Sequence, residues 1–245
     1  IVFDDANVDK AVKECVNGAL SYNGQRCTAL KLIFVHKSVS EEFCTKFTKA
    51  VDALALDHPA TNSTLTPLPE RNKVAQMEAY VDDAVAKGAA VINQNAGRVS
   101  DTAIFPAVLY PVTDEMAIFH EEQFGPVVPI VEYEDLEEVM TSIAASDCGQ
   151  QCSLFSDNEL TIAYAVDNMV NQVCRVNINA SCQRGPDYLP FTGRKDSAVA
   201  TLSVHDALRS FSIRTLVATG TDQKELVGNV ISGGQSTWMT TDYLL

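Results

Sequence analysis

An α/β fold, built on a mostly parallel sheet with helices on both faces, is predicted by three features of this sequence. Strand-like and helix-like segments alternate from Leu30 to Ile178, the order that parallel crossover connections need. Val127 to Tyr133 is a near-continuous apolar run, as a strand buried on both faces is. The chain of 245 residues is 46% hydrophobic, enough for one large domain or two small ones.

The elements follow in order. Asn7 is placed to cap a helix whose apolar positions are Val8, Ala11, Val12, Cys15, Val16 and Ala19, all on one face. That helix breaks near Asn23-Gly24, and Leu30 to Val35 reads as a buried strand. Ser38 and Glu41 have capping-box spacing before a helix that turns Phe43, Phe47, Val51 and Leu54 inward. After a loop from Asp57 to Pro69, Pro69 suits the first turn of a helix carrying Val74, Met77, Val81, Ala84 and Val85, with Gly88 just past its end. Ala90 to Ile92 and Ile104 to Leu109 read as strands, and Leu136 to Ala145 as the helix after Val127 to Tyr133. Ser153 to Phe155 is a short strand, Asn158 to Asn168 a helix and Val173 to Ile178 a further strand. Asn179 to Ser197 is turn-rich. A helix over Val204 to Arg209 and an extended run over Ile213 to Ala218 complete the pattern, and the polar stretch from Thr219 to Leu245, with Gly233-Gly234, predicts no element.

Charge and cysteine usage restrict the function. Charged residues make up 20% with no low-complexity tract, which describes a soluble globular chain. No apolar run is long enough to span a bilayer, and Ile1-Val2-Phe3 runs into Asp4-Asp5 without the basic start of a signal peptide. A net charge of -14 repels nucleic acid, so an anionic small molecule must be held by a few local arginines. The seven cysteines are odd in number in a chain too long to need staples, and read as reduced and cytosolic. Cys148 and Cys152 have C-x3-C spacing. With no histidine or second pair nearby, they read as core and loop thiols rather than a zinc site, and no metal site is expected.

Cys27 is the candidate for chemistry. It follows a helix break and precedes the small-residue turn Thr28-Ala29, a placement that exposes a thiol beside free backbone N–H groups. The adjacent cation Arg26 favours the thiolate, the nucleophilic form. On local context alone, a small buried thiol is the more usual reading of a lone cysteine. Two further segments bear on the choice: Glu121-Glu122-Gln123-Phe124-Gly125-Pro126, and Cys182-Gln183-Arg184-Gly185-Pro186-Asp187 with Pro190-Phe191 and Gly193-Arg194-Lys195-Asp196-Ser197 behind it.

Gly24-Gln25-Arg26-Cys27, the Glu-Glu-x-Phe-Gly-Pro segment and the late Pro-Phe-x-Gly-x-Lys-x-Ser, in this order, resemble the C-terminal part of the aldehyde dehydrogenase superfamily, as does the opening Ile-Val-Phe-Asp-Asp-Ala-Asn. The resemblance runs from Ile1 to about Thr219. Arg26 beside the cysteine and Arg184 downstream are most similar to the non-phosphorylating, NADP-dependent glyceraldehyde-3-phosphate dehydrogenase branch.

The resemblance implies these roles. Cys27 is the nucleophile, with its own N–H as one oxyanion donor. Glu122 hydrogen-bonds the nicotinamide ribose, and Phe124 packs beside the nicotinamide of NADP or NAD. Phe191 lines the substrate pocket. Arg26 and Arg184 hold the phosphate of a small phosphorylated aldehyde, which guanidinium forks suit; surface or structural arginines are the competing reading. Ordinary turn and core packing are those for Glu122–Phe124 and Phe191. The implied setting is the cytoplasm, and the implied assembly of the full-length enzyme is a homo-oligomer, dimer or tetramer, without nucleic acid or membrane partners.

The same resemblance divides the chain into a catalytic domain over residues 1–200, a helix and oligomerisation strand over 201–219, and a polar tail over 220–245. It departs from the family at Ala198 and Ala200, where many members carry glycine. The family's general base, its oxyanion asparagine and its Gly-rich cofactor-binding domain are expected upstream of Ile1. The implied activity is oxidation of an aldehyde, glyceraldehyde 3-phosphate in the closest branch, to the acid through a cysteine thioester. An isolated chain without that base is expected not to turn over. A dehydrogenase for another aldehyde, and a catalytically dead oligomerisation or binding fragment, are the alternatives.

Overall fold

The computed structural model describes residues 1–213 and 215–232. They form helices α1 (Val8–Leu20), α2 (Lys37–Asp52), α3 (Arg71–Ala86), α4 (Ala117–His120), α5 (Leu136–Ala145), α6 (Glu159–Met169), α7 (Val204–Ser210) and α8 (Lys224–Ser232). The strands are β1 (Ile33–His36), β2 (Ala90–Val91), β3 (Gly97–Arg98), β4 (Ile104–Phe105), β5 (Ala107–Tyr110), β6 (Val127–Tyr133), β7 (Cys148–Gly149), β8 (Gln151–Leu154), β9 (Arg175–Ile178) and β10 (Arg194–Lys195). They fall into two compact units, one of residues 1–184 and 192–200, the other of 185–191 and the described residues between 201 and 232.

The first unit carries the predicted sheet. β1 pairs in parallel with β6, and β6 in parallel with β5; β2 closes that edge antiparallel to β5. β8 and β9 are a second parallel pair. Residues 1–3 join the two, because Val2 bridges Val35 on one side and Phe155 on the other, both in parallel. Val2 N donates to Phe34 O at 2.8 Å, and Phe155 N to Ile1 O at 2.9 Å. The resulting order is β9, β8, residues 1–3, β1, β6, β5, β2.

Helices cover both faces, and the strand residues show why. Side chains alternate across a strand. Along β6, Val128 and Ile130 enter one core with Cys15 of α1 and Phe43 and Phe47 of α2. Val127 enters a second core with Val74 and Met77 of α3. Tyr133 enters a third with Val139 and Met140 of α5 and Met169 of α6. Phe43, Phe47, Val74, Met77 and Ile130 are fully buried, the condition under which apolar area contributes most.

Several boundaries differ from expectation. Asn7 caps α1 as expected, its side chain accepting from Lys10 N at 3.0 Å. The capping box at Ser38 and Glu41 is not used. β1 feeds α2 with no loop between them, so His36, the last strand residue, is the cap and its Nδ1 accepts from Ser38 N. β1 starts at Ile33 rather than Leu30, because the Leu30 N–H is drawn to Gly18 O and the Lys31 carbonyl to Gln123. α3 starts at Arg71, just beyond Pro69. Pro106, which has no N–H, separates β4 from β5 where one strand is expected. The turn-rich stretch after Asn179 contains β10, antiparallel to β7.

In the second unit, α7 is capped by Ser203, and Phe191 and Leu202 form an antiparallel bridge. The strand expected over Ile213 to Ala218 is not formed by its described residues; Arg214 lies outside them. A lone extended segment leaves its backbone groups to water and gains no stability without an edge to pair with. α8 occupies a stretch where no element is expected, and Gly233-Gly234 lies outside the described residues.

Candidate active site

α1 ends in a tight reversal. Tyr22, Asn23 and Gly24 all have positive φ, at 56°, 59° and 70°. Asn tolerates this conformation, and here the buried Asn23 is tied at both ends of its amide: Nδ2 donates to Thr66 Oγ1 at 3.0 Å, and Oδ1 accepts from Thr66 N at 2.9 Å. Gly24 has no alternative. A Cβ there would lie 2.7 Å from Gly125 O and 2.8 Å from Ala19 O. The reversal delivers Gln25 to Thr28 into a turn closed by Ala29 N donating to Arg26 O at 3.0 Å.

Cys27 stands exposed on that turn while Thr28 is buried. All seven cysteines are free, and Cys27 is the exposed one among them. Burial pushes the thiols of Cys15 and Cys44 up to about 12 and that of Cys182 up to about 11. No described residue accepts from the backbone N–H of Cys27 or Thr28. Among the described residues, no three His, Cys, Asp or Glu side chains are grouped to hold a metal ion. Nor is any helix among them long and apolar enough to cross a membrane.

The Glu122 segment lies against this turn. Gln123, buried, donates from Nε2 to Lys31 O and to Val127 O, both at 3.1 Å. Lys31 answers with Nζ, donating to Phe119 O at 2.7 Å and Ile118 O at 3.3 Å at the end of α4. Burial holds the Lys31 ammonium down at about 8, with Cys148, Glu122 and Glu121 only partly offsetting it. Phe124 takes a positive φ of 44°, and the residue is 37% exposed. Gly125 faces Met77, whose Sδ would lie 2.5 Å from an added Cβ. Glu121 accepts from Tyr80 OH at 2.8 Å. Glu122 is exposed, and no described residue donates a hydrogen bond to its carboxylate.

Cys27, Thr28 and Glu122 line one cavity of about 420 Å³, with Lys31 and Phe119 in its wall. The structure thus brings Cys27 and Glu122 together. Phe124, Arg26 and Arg184 do not line that cavity. Arg26 turns back: Nη2 donates to Gly18 O and to Cys182 O, each at 3.2 Å, and Nε is buried without a partner. Its guanidinium therefore ties α1, the Cys27 turn and the Cys182 segment. Gln183 is fixed by Gln151 at both its N–H and its carbonyl, which leaves Arg184 exposed just beyond. Phe191 belongs to the second unit, in its bridge to Leu202.

Three residues that sequence reasoning gave no role also build the site. Lys31 and Gln123 clamp the segment after Cys27 to the segment around Glu122. Lys195 donates to the carbonyls of Ile143, Ala144 and Ser146 at 2.6, 3.1 and 2.8 Å, closing the end of α5. Ile143 and Ser146 are cavity wall, as is Ser197, whose Oγ accepts from Gly149 N at 2.8 Å. A lysine inside the apolar run Leu30 to Val35, next to a candidate nucleophile, was the available signal for Lys31.

Comparisons with known proteins bear on the family and fold of the chain. A model described as the aldehyde dehydrogenase family matches residues 1–217. The NADP-dependent glyceraldehyde-3-phosphate dehydrogenase of Arabidopsis thaliana is 34% identical over 208 residues, 85% of this chain and 41% of that protein. The sulfoacetaldehyde dehydrogenase of Neptuniibacter caesariensis is 29% identical over 219 residues, 89% of this chain and 47% of that protein. The crystal structure of NADP-dependent glyceraldehyde-3-phosphate dehydrogenase from Bacillus halodurans C-125 complexed with NADP superposes with a TM-score of 0.80 at 33% identity, covering 84% of this chain and 43% of that one. The chain spans less than half the length of these relatives.

Proposed function

The chain belongs to the aldehyde dehydrogenase family, and from that premise we propose that it is the cysteine-bearing part of an NAD(P)-dependent enzyme that oxidises a small aldehyde to the acid. One observation carries the reading: the exposed thiol of Cys27 and the free carboxylate of Glu122 share one cavity.

In this reading the Cys27 thiolate attacks the aldehyde carbon, and the N–H groups of Cys27 and Thr28, which no described residue occupies, receive the oxyanion. Glu122 and Phe124 fit a nicotinamide nucleotide: the carboxylate is an unused acceptor for ribose hydroxyls, and the exposed ring is a packing surface. The bound nucleotide supplies the hydride acceptor. Cys27 then holds the acyl group as a thioester until water releases the acid.

We assign glyceraldehyde 3-phosphate as the substrate, NADP or NAD as the cofactor, and Arg26 and Arg184 as the phosphate-binding pair, with Phe191 in the pocket wall. The Arabidopsis and Bacillus relatives named above and the exposed position of Arg184 support this. A second aldehyde is favoured by a different observation, since Arg26 Nη2 already serves two backbone carbonyls. We further read residues 1–200 as the catalytic domain, 201–219 as a helix and oligomerisation strand, and 220–245 as a polar tail. A cytoplasmic homo-oligomer fits the seven free thiols and the net charge of -14.

Iodoacetamide labelling with peptide mapping tests the proposal. Cys27 is expected to react at least about tenfold faster than Cys44 at neutral pH, because little of a thiol raised to about 12 is thiolate there. Glyceraldehyde 3-phosphate should protect Cys27. Equal labelling of both cysteines sinks the nucleophile, and absence of protection sinks the substrate.

A further inference from the structure

Lys31 has chemistry that the aldehyde-oxidising role does not use. Its Nζ has two acceptors, the Phe119 and Ile118 carbonyls, for three ammonium N–H bonds. No carboxylate is in ion-pair contact with it among the described residues. A half-buried ammonium without an ion-pair partner is poorly stabilised, and a neutral amine with two N–H bonds satisfies both carbonyls and keeps its lone pair. Glu121, Glu122 and Cys148 act on Lys31, and Asp114, His120 and Asp147 also line the cavity; together they do not undo the effect of burial. With a value of about 8, on the order of a tenth of the amine is unprotonated at neutral pH. That share is far above that of an exposed lysine.

We propose that Lys31 is a carbonyl-trapping amine, and that an aldehyde admitted to the cavity it shares with Cys27 condenses reversibly with its Nζ. This rests on reading the cavity as an aldehyde site. The nitrogen lone pair forms the C–N bond, the carbonyl π pair moves to oxygen, and a proton passes from nitrogen to that oxygen. A proton from solvent lets the hydroxyl leave as water, and the nitrogen lone pair closes the C=N bond to give the protonated imine, with no oxidant or reductant consumed. The protonated imine keeps one N–H, enough for the shorter bond to Phe119 O but not for the longer one to Ile118 O. An adduct at Lys31 therefore releases part of the clamp on the segment that carries Glu122. Lys195 is the internal control, since three carbonyls take all three of its donors and leave no site for attack.

The test uses the full 245-residue chain with propanal and cyanoborohydride at pH 7, which converts an imine to a stable N-propyl amine, followed by peptide mapping. N-propylation at Lys31 is expected at least tenfold faster than at Lys195 or at the exposed Lys10 and Lys49, and this preference should vanish in denaturant. A rate at Lys31 no greater than that at Lys49 overturns the proposal. Iodoacetamide labelling of Cys27 on the same sample separates the two readings. Fast, aldehyde-protected Cys27 with an unreactive Lys31 removes only this inference. A trapping Lys31 beside an ordinary Cys27 removes only the oxidation.

Discussion

Gly24 and Gly125 meet backbone to backbone, and through them the turn carrying Cys27 is seated on the segment carrying Glu122. A methyl group on Gly24 would stand 2.7 Å from the Gly125 carbonyl oxygen, in a residue whose φ is already +70°. Gly24→Ala is therefore expected to cost more than the 1 to 2 kcal/mol, roughly, of the left-handed backbone alone. Gly125→Ala meets the flexible Met77 side chain instead and should cost less. Urea denaturation of both variants checks the order; equal losses would show that the two glycines are not in contact in solution.

Arg26→Met removes two charge-assisted hydrogen bonds, to Gly18 O and Cys182 O. A loss on the order of 2 kcal/mol is expected. Arg26→Lys keeps the charge but not the planar fork and should recover only part of it. Unchanged stability in Arg26→Met would argue that the guanidinium is reserved for a ligand.

Arg184→Leu tests the phosphate assignment without touching those ties. Protection of Cys27 by glyceraldehyde 3-phosphate should need on the order of tenfold more ligand, the scale of one lost charged hydrogen bond. Protection by an uncharged aldehyde such as propanal should not move. Equal shifts for both would remove Arg184 from the phosphate site.

Lys195→Met opens the end of α5, because three carbonyls lose one cation. The expected cost is about 1 to 2 kcal/mol, the upper end for a partly buried cation at a helix C-terminus. Faster amide exchange should be confined to α5 and the adjacent Cys148–Gln151 segment. Uniform acceleration across the sheet would instead mean that Lys195 supports the whole unit.

Lys31 gives the fold a pH signature. Its folded value of about 8 lies below its ordinary 10.5, so between these the unfolded chain holds the proton and the folded chain does not. Its contribution to stability is lowest below pH 8 and rises as pH climbs toward 10.5. Cys15, Cys44 and Cys182, raised by burial, pull the other way above pH 9. The difference between wild type and Lys31→Met isolates the lysine: the variant's relative stability should fall between pH 8 and pH 9.5. A constant difference would place Lys31 in water.

The alternation of apolar runs with helix-period patterns was legible, and so was the core they build, because Val127 to Tyr133, Phe43, Phe47 and Met77 have nowhere to go but inside. Cap geometry was not. Ser38 and Glu41 have the right spacing, but the strand ahead of them runs on to His36 and takes the cap. Cys27 and Glu122 were legible as a pair of short motifs. Their clamp was not, since Lys31 and Gln123 act through backbone carbonyls that any residue could supply. Arg26 was legible as a cation beside the thiol; only the fold shows that Gly18 and Cys182 present carbonyls to it.

The first three residues lie in the middle of the sheet, with Val2 between Val35 and Phe155. Numbered first, this segment reaches its second neighbour only when a strand more than 150 positions later is in place. Such a topology has a high contact order, and the cost of closing so long a loop is met before the pairing rewards it. The two halves of the sheet thus join late and all at once. An early folding species is expected to hold β1, β5 and β6 together while Phe155 still waits for its partner.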